Sequence, residues 1–235
     1  MGPAPALPPE GSVISTQKAN GWPTLLFLGS VAWLLIDGLM AVPVKTFPPS
    51  KVIEWEERSF SGSTRYQLTE VDGREAIHAV CEDGAASALY HRGEIDLEST
   101  PVLEWSWRVD ETFSGVDERV RTGDDFPARI YLVDERSVLR WRTRALNYVW
   151  SSKELEGADW PNPYTSRVHM ISVRSGSSEE PGRWFTDRRN VQADFRRFHE
   201  RELKTLSGLA IMTDCDDVGE RAEAWYGTLR FVAEK

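Results

Sequence analysis

Basic runs are missing from this chain of 235 residues. Its 28 Lys and Arg are outnumbered by 37 Asp and Glu, the formal net charge is -9, and the cations are scattered. A nucleic-acid partner needs a basic footprint to neutralise phosphates, so this balance argues against one, and equally against an anionic membrane surface. Histidine is scarce as well, and the 4 present, at 78, 91, 169 and 199, show no metal-ligand spacing. Neither G-x-S-x-G nor H-E-x-x-H occurs, which removes two common hydrolase signatures. The two cysteines, Cys81 and Cys215, allow at most one internal disulfide. Export would permit that pair; two unrelated reduced thiols is the plainer reading. Residues 51–235 contain no internal repeat and no low-complexity tract.

Tryptophan, by contrast, is abundant. There are 10, and since one buried indole removes roughly 200 Å² from water, most of them fit a core. The length suits one large β domain or two small ones. Residues 1–20 are rich in Pro, Ser and Gly and read as disordered. From Ala19 to Ile36 no charge occurs, Thr24 to Ile36 is strongly apolar, and after Asp37 the run continues to Val44. That is the lower limit for a membrane-spanning helix, and it also fits the apolar part of a signal peptide. Residues 21–44 are therefore expected to be a hydrophobic helix serving as an anchor or signal segment. A buried helix of the folded domain and a chain start at Met40 are the alternatives. Lys45 to Ser50 reads as a linker and 51–235 as the folded domain, with KVIEWEE as its first strand.

Period-two alternation dominates that domain. Leu209, Ile211 and Thr213 oppose Ala210, Met212 and Asp214, and Trp225, Gly227, Leu229 and Phe231 oppose Ala224, Tyr226, Thr228 and Arg230. The two strands are joined by an acidic loop containing Asp214, Asp216, Asp217, Glu220 and Glu223. Tyr66 to Glu82 reads as a hairpin turned at Asp72-Gly73, because Asp and Gly tolerate positive φ. In Pro101 to Asp110, Leu103, Trp105, Trp107 and Val109 share one face. One helix is expected, capped by Asn190, with Val191, Phe195 and Phe198 at i, i+4 and i+7. About ten short antiparallel strands and one helix predict an all-β, two-sheet sandwich of jelly-roll type.

The segments WSWRVD, GDDFPARIYLV, RALNYVWSS, WPNPYT, RSG at Arg174 to Gly176, RRNV, AIMTDCDD and AWYGTLRF together resemble the bacterial domain-of-unknown-function family 3047, over Lys51 to Phe231. The resemblance implies an exported or membrane-attached bacterial protein of the cell envelope, and it implies no catalytic residues. The acidic loop and the Tyr-Gly strand are more distantly similar to galactose-binding-like and carbohydrate-binding jelly rolls. Cys215 departs from the small hydroxyl residue expected there.

Three groups of residues could carry chemistry. Arg108, Arg129 and Tyr131 oppose their strands' apolar sets, and Asn147 and Tyr226 join them on a polar face; guanidinium and phenol suit a sugar or a carboxylate. The plain alternative is an Arg108–Glu104 pair on a solvated face. Trp160, Asn162 and Tyr164 form an aromatic loop stiffened by Pro161 and Pro163, suited either to a ligand platform or to covering a sheet end. Asp214, Asp216 and Asp217, with Asp124 and Asp125 contributing, could hold a structural calcium, although the spacing is not that of an EF-hand and a solvated loop is the simpler reading. The expectation is a non-catalytic module binding a glycan or other small molecule. A structural or interaction module of an envelope assembly and a carbohydrate-active enzyme are the alternatives.

Overall fold

The computed structural model describes residues 44–135 and 142–234. The apolar stretch expected to form an anchor or signal helix lies outside them. Among the described residues no helix is long and apolar enough to cross a membrane.

In chain order the elements are β1 (Lys45–Phe47), α1 (Pro49–Val52), β2 (Glu56–Ser61), β3 (Arg65–Val71), β4 (Arg74–Cys81), β5 (Ala86–Asp96), β6 (Val102–Arg108), β7 (Ala128–Asp134), β8 (Arg144–Ser151), β9 (Asp159–Pro161), β10 (Val168–Ser175), β11 (Phe185–Asn190), α2 (Val191–His199), β12 (Thr205–Asp214) and β13 (Ala222–Val232). A 3-10 turn at Arg121–Gly123 precedes β7. The strands form two sheets. One has the order β11-β6-β13-β4-β3, with β1 also on β13; the other runs β2-β5-β12-β7-β8-β10-β9. The fold is thus the expected all-β two-sheet sandwich with few helices. One pairing departs from the antiparallel expectation, because β8 and β10 run parallel.

The core lies between the sheets. Trp105 and Trp107 of β6 meet Tyr148 and Trp150 of β8, with Trp105 stacked on Tyr148 at 5.5 Å between centroids and 8° between planes. Tyr226 reaches across from β13. Its hydroxyl donates to the Met212 carbonyl, lies 3.0 Å from the Thr213 hydroxyl and accepts the Arg129 amide at 3.2 Å, tying β13 to both β12 and β7. The α2 helix closes one side with Val191 and Phe195, and Asn190 caps it by accepting from the Ala193 amide at 2.9 Å. Asp72 and Gly73 turn β3 into β4 with φ of 54° and 71°, as their chemistry requires.

Four sequence expectations are corrected. Lys45 to Ser50 is not a linker, for Lys45, Thr46 and Phe47 pair with Phe231, Arg230 and Leu229 and bury Phe47. KVIEWEE is not the first strand: its start completes α1, which the prolines before it favour, and β2 begins only at Glu56. The face assignment along β13 fails at Gly227, where a bulge between Tyr226 and Leu229 puts Tyr226, Leu229 and Phe231 all in the core. A Cβ on Gly227 would collide with the Ser106 hydroxyl, which would have to turn away to admit it. Finally, Cys81 and Cys215 are not reduced thiols but a disulfide, joining the end of β4 to the loop after β12 across 134 residues of sequence.

Candidate functional site

The outer face of the seven-stranded sheet is unusually shallow in its middle, for a reason visible in the sequence. The outward positions of β5 and β12 are Ala86, Ala88, Ala210 and Met212, and small side chains leave a trough. Larger groups flank it: Phe60 and Arg58 from β2, Tyr90 from β5, Tyr131 from β7, and the loop carrying Asn162, Tyr164 and Thr165. Two depressions result, of about 360 and 200 Å³. Both are lined by Phe60 and Tyr131, so they adjoin along this face as a grooved surface. Phe60 is 71% exposed and Tyr164 49% exposed.

One end of the groove is acidic. Asp124 and Asp125 follow the 3-10 turn; Asp214, Asp216 and Asp217 come from the end of β12 and its loop; Arg129 stands among them. Arg129 is 3% exposed and paired with the fully buried Asp214. Its second guanidinium nitrogen is 4.0 Å from Asp124. Asp124 accepts from the Asn162 amide at 2.7 Å, and Asp125 accepts from the Asp217 backbone at 2.8 Å. One oxygen of each of these two carboxylates has no hydrogen-bond partner, and the same holds for Nε and Nη1 of Arg129. Loss of hydration is the main cause that raises both acids, Asp125 to about 6, with Arg129 opposing. Tyr164 donates to Asp217 at 2.6 Å, a bond that pushes its phenol up to about 12.

Carboxylate oxygens of Asp125, Asp214 and Asp216 lie within 4.8 Å of one another, close enough for one cation. The grouping is not the expected trio, since Asp217 turns instead to Tyr164. Calcium takes six to eight oxygen ligands, and here Arg129 already supplies positive charge to Asp214.

The expected site residues divide. Arg129, Tyr131, Asn162, Tyr164, Asp216 and Asp217 come together around the groove. Asn147 sits opposite Tyr131 on β8 but is wholly buried and lines neither depression. Arg108 does not join them. It lies on the other sheet, bonded at 2.9 Å to Asp110 and stacked on Trp225, and Glu104 pairs instead with Arg188 and Arg230. Tyr226 is a core residue, fixed by the bonds described above. Trp160 is no platform either, being 2% exposed with its indole donating to the Glu118 carbonyl. Sequence reasoning missed Phe60, Asp124 as a groove residue, and the floor. The signal available was a lone Phe in polar RSFSGS and the run of outward alanines.

The sandwich is similar in outline to several solved structures. The family 11 carbohydrate-binding module of a Clostridium thermocellum cellulosomal cellulase covers 83% of this chain and is itself 96% covered, at 8% identity and a TM-score of 0.46. A low-affinity xylan binding module from Roseburia intestinalis matches over 82% of this chain and 96% of its own, at 11% identity and a TM-score of 0.33. For the glycoside hydrolase domain of Endo-D from Streptococcus pneumoniae R6 the values are 76% of this chain, 7% identity and 0.39, and the match spans only 21% of that chain. No curated protein sequence matches. The model of one family does match, over residues 53–230, and the chain belongs to it: the protein of unknown function family DUF3047.

Proposed function

We propose that this protein binds a glycan, without transforming it, in the groove on the outer face of the seven-stranded sheet. The observation that carries this reading is the groove itself: an apolar floor of Ala86, Ala88, Ala210 and Met212 with exposed Phe60 and Tyr164 and half-buried Tyr131 at its sides and Arg129, Asn162 and Asp124 at one end. Pyranose rings present apolar C–H faces and polar hydroxyl edges, and such a surface offers a partner for each. We read the sandwich as of jelly-roll type, in which an outer sheet face open to an extended ligand is a natural site.

The reading includes export to the bacterial cell envelope, with residues 21–44 as anchor or signal. The Cys81–Cys215 disulfide supports it, because such bonds persist in oxidising compartments and are rare in the cytosol. The test is calorimetric titration of the chain with a panel of bacterial polysaccharide fragments and oligosaccharides. Saturable binding, weakened at least tenfold by Phe60→Ala and Tyr131→Ala, is expected; a panel with no binder overturns the proposal. The second reading, a carbohydrate-active enzyme, draws on one observation: Asp124, raised by burial, shares the groove with Asp216 and Asp217, as an acid and base would. Product release from the same samples decides for it.

A further inference from the structure

The two depressions of the groove differ in what they leave unbonded. We infer that the smaller one, beside Arg58 and Tyr90, seats a carboxylate, and that the glycan bound in the groove carries a uronate unit there. This rests on the glycan reading above and names its substrate class.

The depression of about 200 Å³ is lined by Arg58 from β2, and alternation along that strand puts Arg58 on the same face as Phe60. The half-buried guanidinium lies over the Tyr90 ring, 3.6 Å from its centroid. Stacking of this kind holds the plane of the group and leaves its N–H edge available. Among the described residues nothing accepts a hydrogen bond from it. Glu135 also lines the depression, but Arg92 already pairs with it at 3.3 Å. Glu56, opposite Tyr90 on β2, is exposed and does not line the depression.

A second observation points into the same place. Tyr90 is 6% exposed and lines the depression, and its hydroxyl has no hydrogen-bond partner among the described residues. Unlike the Asp124 oxygen and the Arg129 nitrogens, that hydroxyl is not sealed from the surface. The ring lies over Gly208, where a Cβ would run into the phenol. Burial, with Glu135 adding to it, raises the phenol, so it keeps its proton and donates. A donor left open in such a place costs free energy that a ligand acceptor recovers. The stacking distance puts the Arg58 edge and the Tyr90 hydroxyl within reach of one carboxylate, which has lone pairs for both. A neutral sugar hydroxyl gives a weaker bond, and an ammonium would meet the guanidinium. Ala88, Ala210, Val133 and Tyr131 supply the apolar bed for the sugar ring.

The experiment compares probes that differ only in the carboxylate. Tetramers of galacturonate, glucuronate and mannuronate, each beside its carboxyl-reduced neutral counterpart, are titrated into the full chain by calorimetry. Salt of about 0.15 M screens the net charge of -9, and tetraglutamate serves as a carboxylate without sugar. At least one uronate is expected to bind tenfold or more tightly than its neutral counterpart and than tetraglutamate. Arg58→Gln, on an edge strand, should remove that preference, Arg58→Lys should keep part of it, and Tyr90→Phe should reduce it by about threefold. Thermal melts establish that each variant is folded. Neutral tetramers binding as tightly as the uronates overturn this inference and leave the glycan reading standing. No binding by any tetramer overturns the inference as well, and the broader panel above then decides the glycan reading by itself. A preference that survives Arg58→Gln, or tetraglutamate matching the best uronate, also overturns the inference.

Discussion

Tyr164 donates its phenol to Asp217 at 2.6 Å, and in doing so joins the loop after β9 to the loop after β12 across one end of the groove. Two loops that are far apart in sequence thereby present one surface. The bond is exposed, so Tyr164→Phe should change stability by less than about 1 kcal/mol. Its effect belongs to binding. Losing the hydroxyl while keeping the ring should weaken a bound glycan by about two- to fivefold, within the net worth of one hydrogen bond. Tyr164→Ala, which removes the wall as well, should cost tenfold or more. Calorimetric affinities for the three proteins test the order; identical values would take Tyr164 out of the site.

The Cys81–Cys215 disulfide closes a long loop, since 134 residues of sequence separate its ends. Both cysteines are buried in a small cluster with Ala85, Phe113, Val116 and Ala222 at one end of the sandwich. Cross-linking so much chain restricts the unfolded state, and losing such a bond typically costs roughly 2–5 kcal/mol. Cys81→Ser with Cys215→Ser should therefore lower the melting temperature by several degrees, and reductant should do the same to the parent protein alone. A parent protein insensitive to reductant, with free thiols titrating, would mean the bond does not form.

Local chemistry was readable in the sequence, and partnership between distant segments was not. Asp72-Gly73 announced its turn because positive φ is a property of those two residues. The inward faces of β6 and β12 followed from alternation alone. Alternation cannot say which sheet a strand joins, so Arg108 and Arg129 looked equivalent although pairing puts them on different sheets. It also fails silently at a bulge, as at Gly227, where one extra residue returns the same face to the core. Trp160 and Tyr164 looked alike on their loop. The choice between burial and exposure fell to Glu118 and Asp217, residues remote in sequence.

Arg129 and Asp214 form an ion pair that is nearly sealed from solvent. Removing one member of such a pair strands the other charge. Asp214→Asn should cost roughly 3–5 kcal/mol, although an asparagine can still accept from the Phe126 amide as Asp214 does at 3.2 Å. Arg129→Met on its own leaves the acidic cluster without its cation and should also destabilise. The double variant should recover much of the loss, because the stranded charge is gone. Urea unfolding of the four proteins gives the coupling; strictly additive losses would mean the pair is not a unit.

Asp125 gives the stability a pH signature of opposite sign to that of a salt-bridged carboxylate. Its native pKa is pushed up to about 6 by burial, against about 3.9 for an unfolded aspartate. Between those values the native state holds the proton more firmly than the unfolded chain. Its contribution is therefore complete below about pH 4 and is lost as pH rises through about 6. The loss is at most about 2–3 kcal/mol, at 1.36 kcal/mol for each unit of displacement. Asp125→Asn keeps an acceptor for the Asp217 amide but carries no charge. The carboxylates held low elsewhere, Asp110 by Arg108 and Glu154 by Arg119, are common to both proteins and cancel in the difference. Urea midpoints from pH 4.5 to 7.5 should then show the parent protein falling away from Asp125→Asn as pH rises. Parallel curves would mean that Asp125 is as well solvated as an unfolded aspartate, and that the acidic end of the groove is open to water.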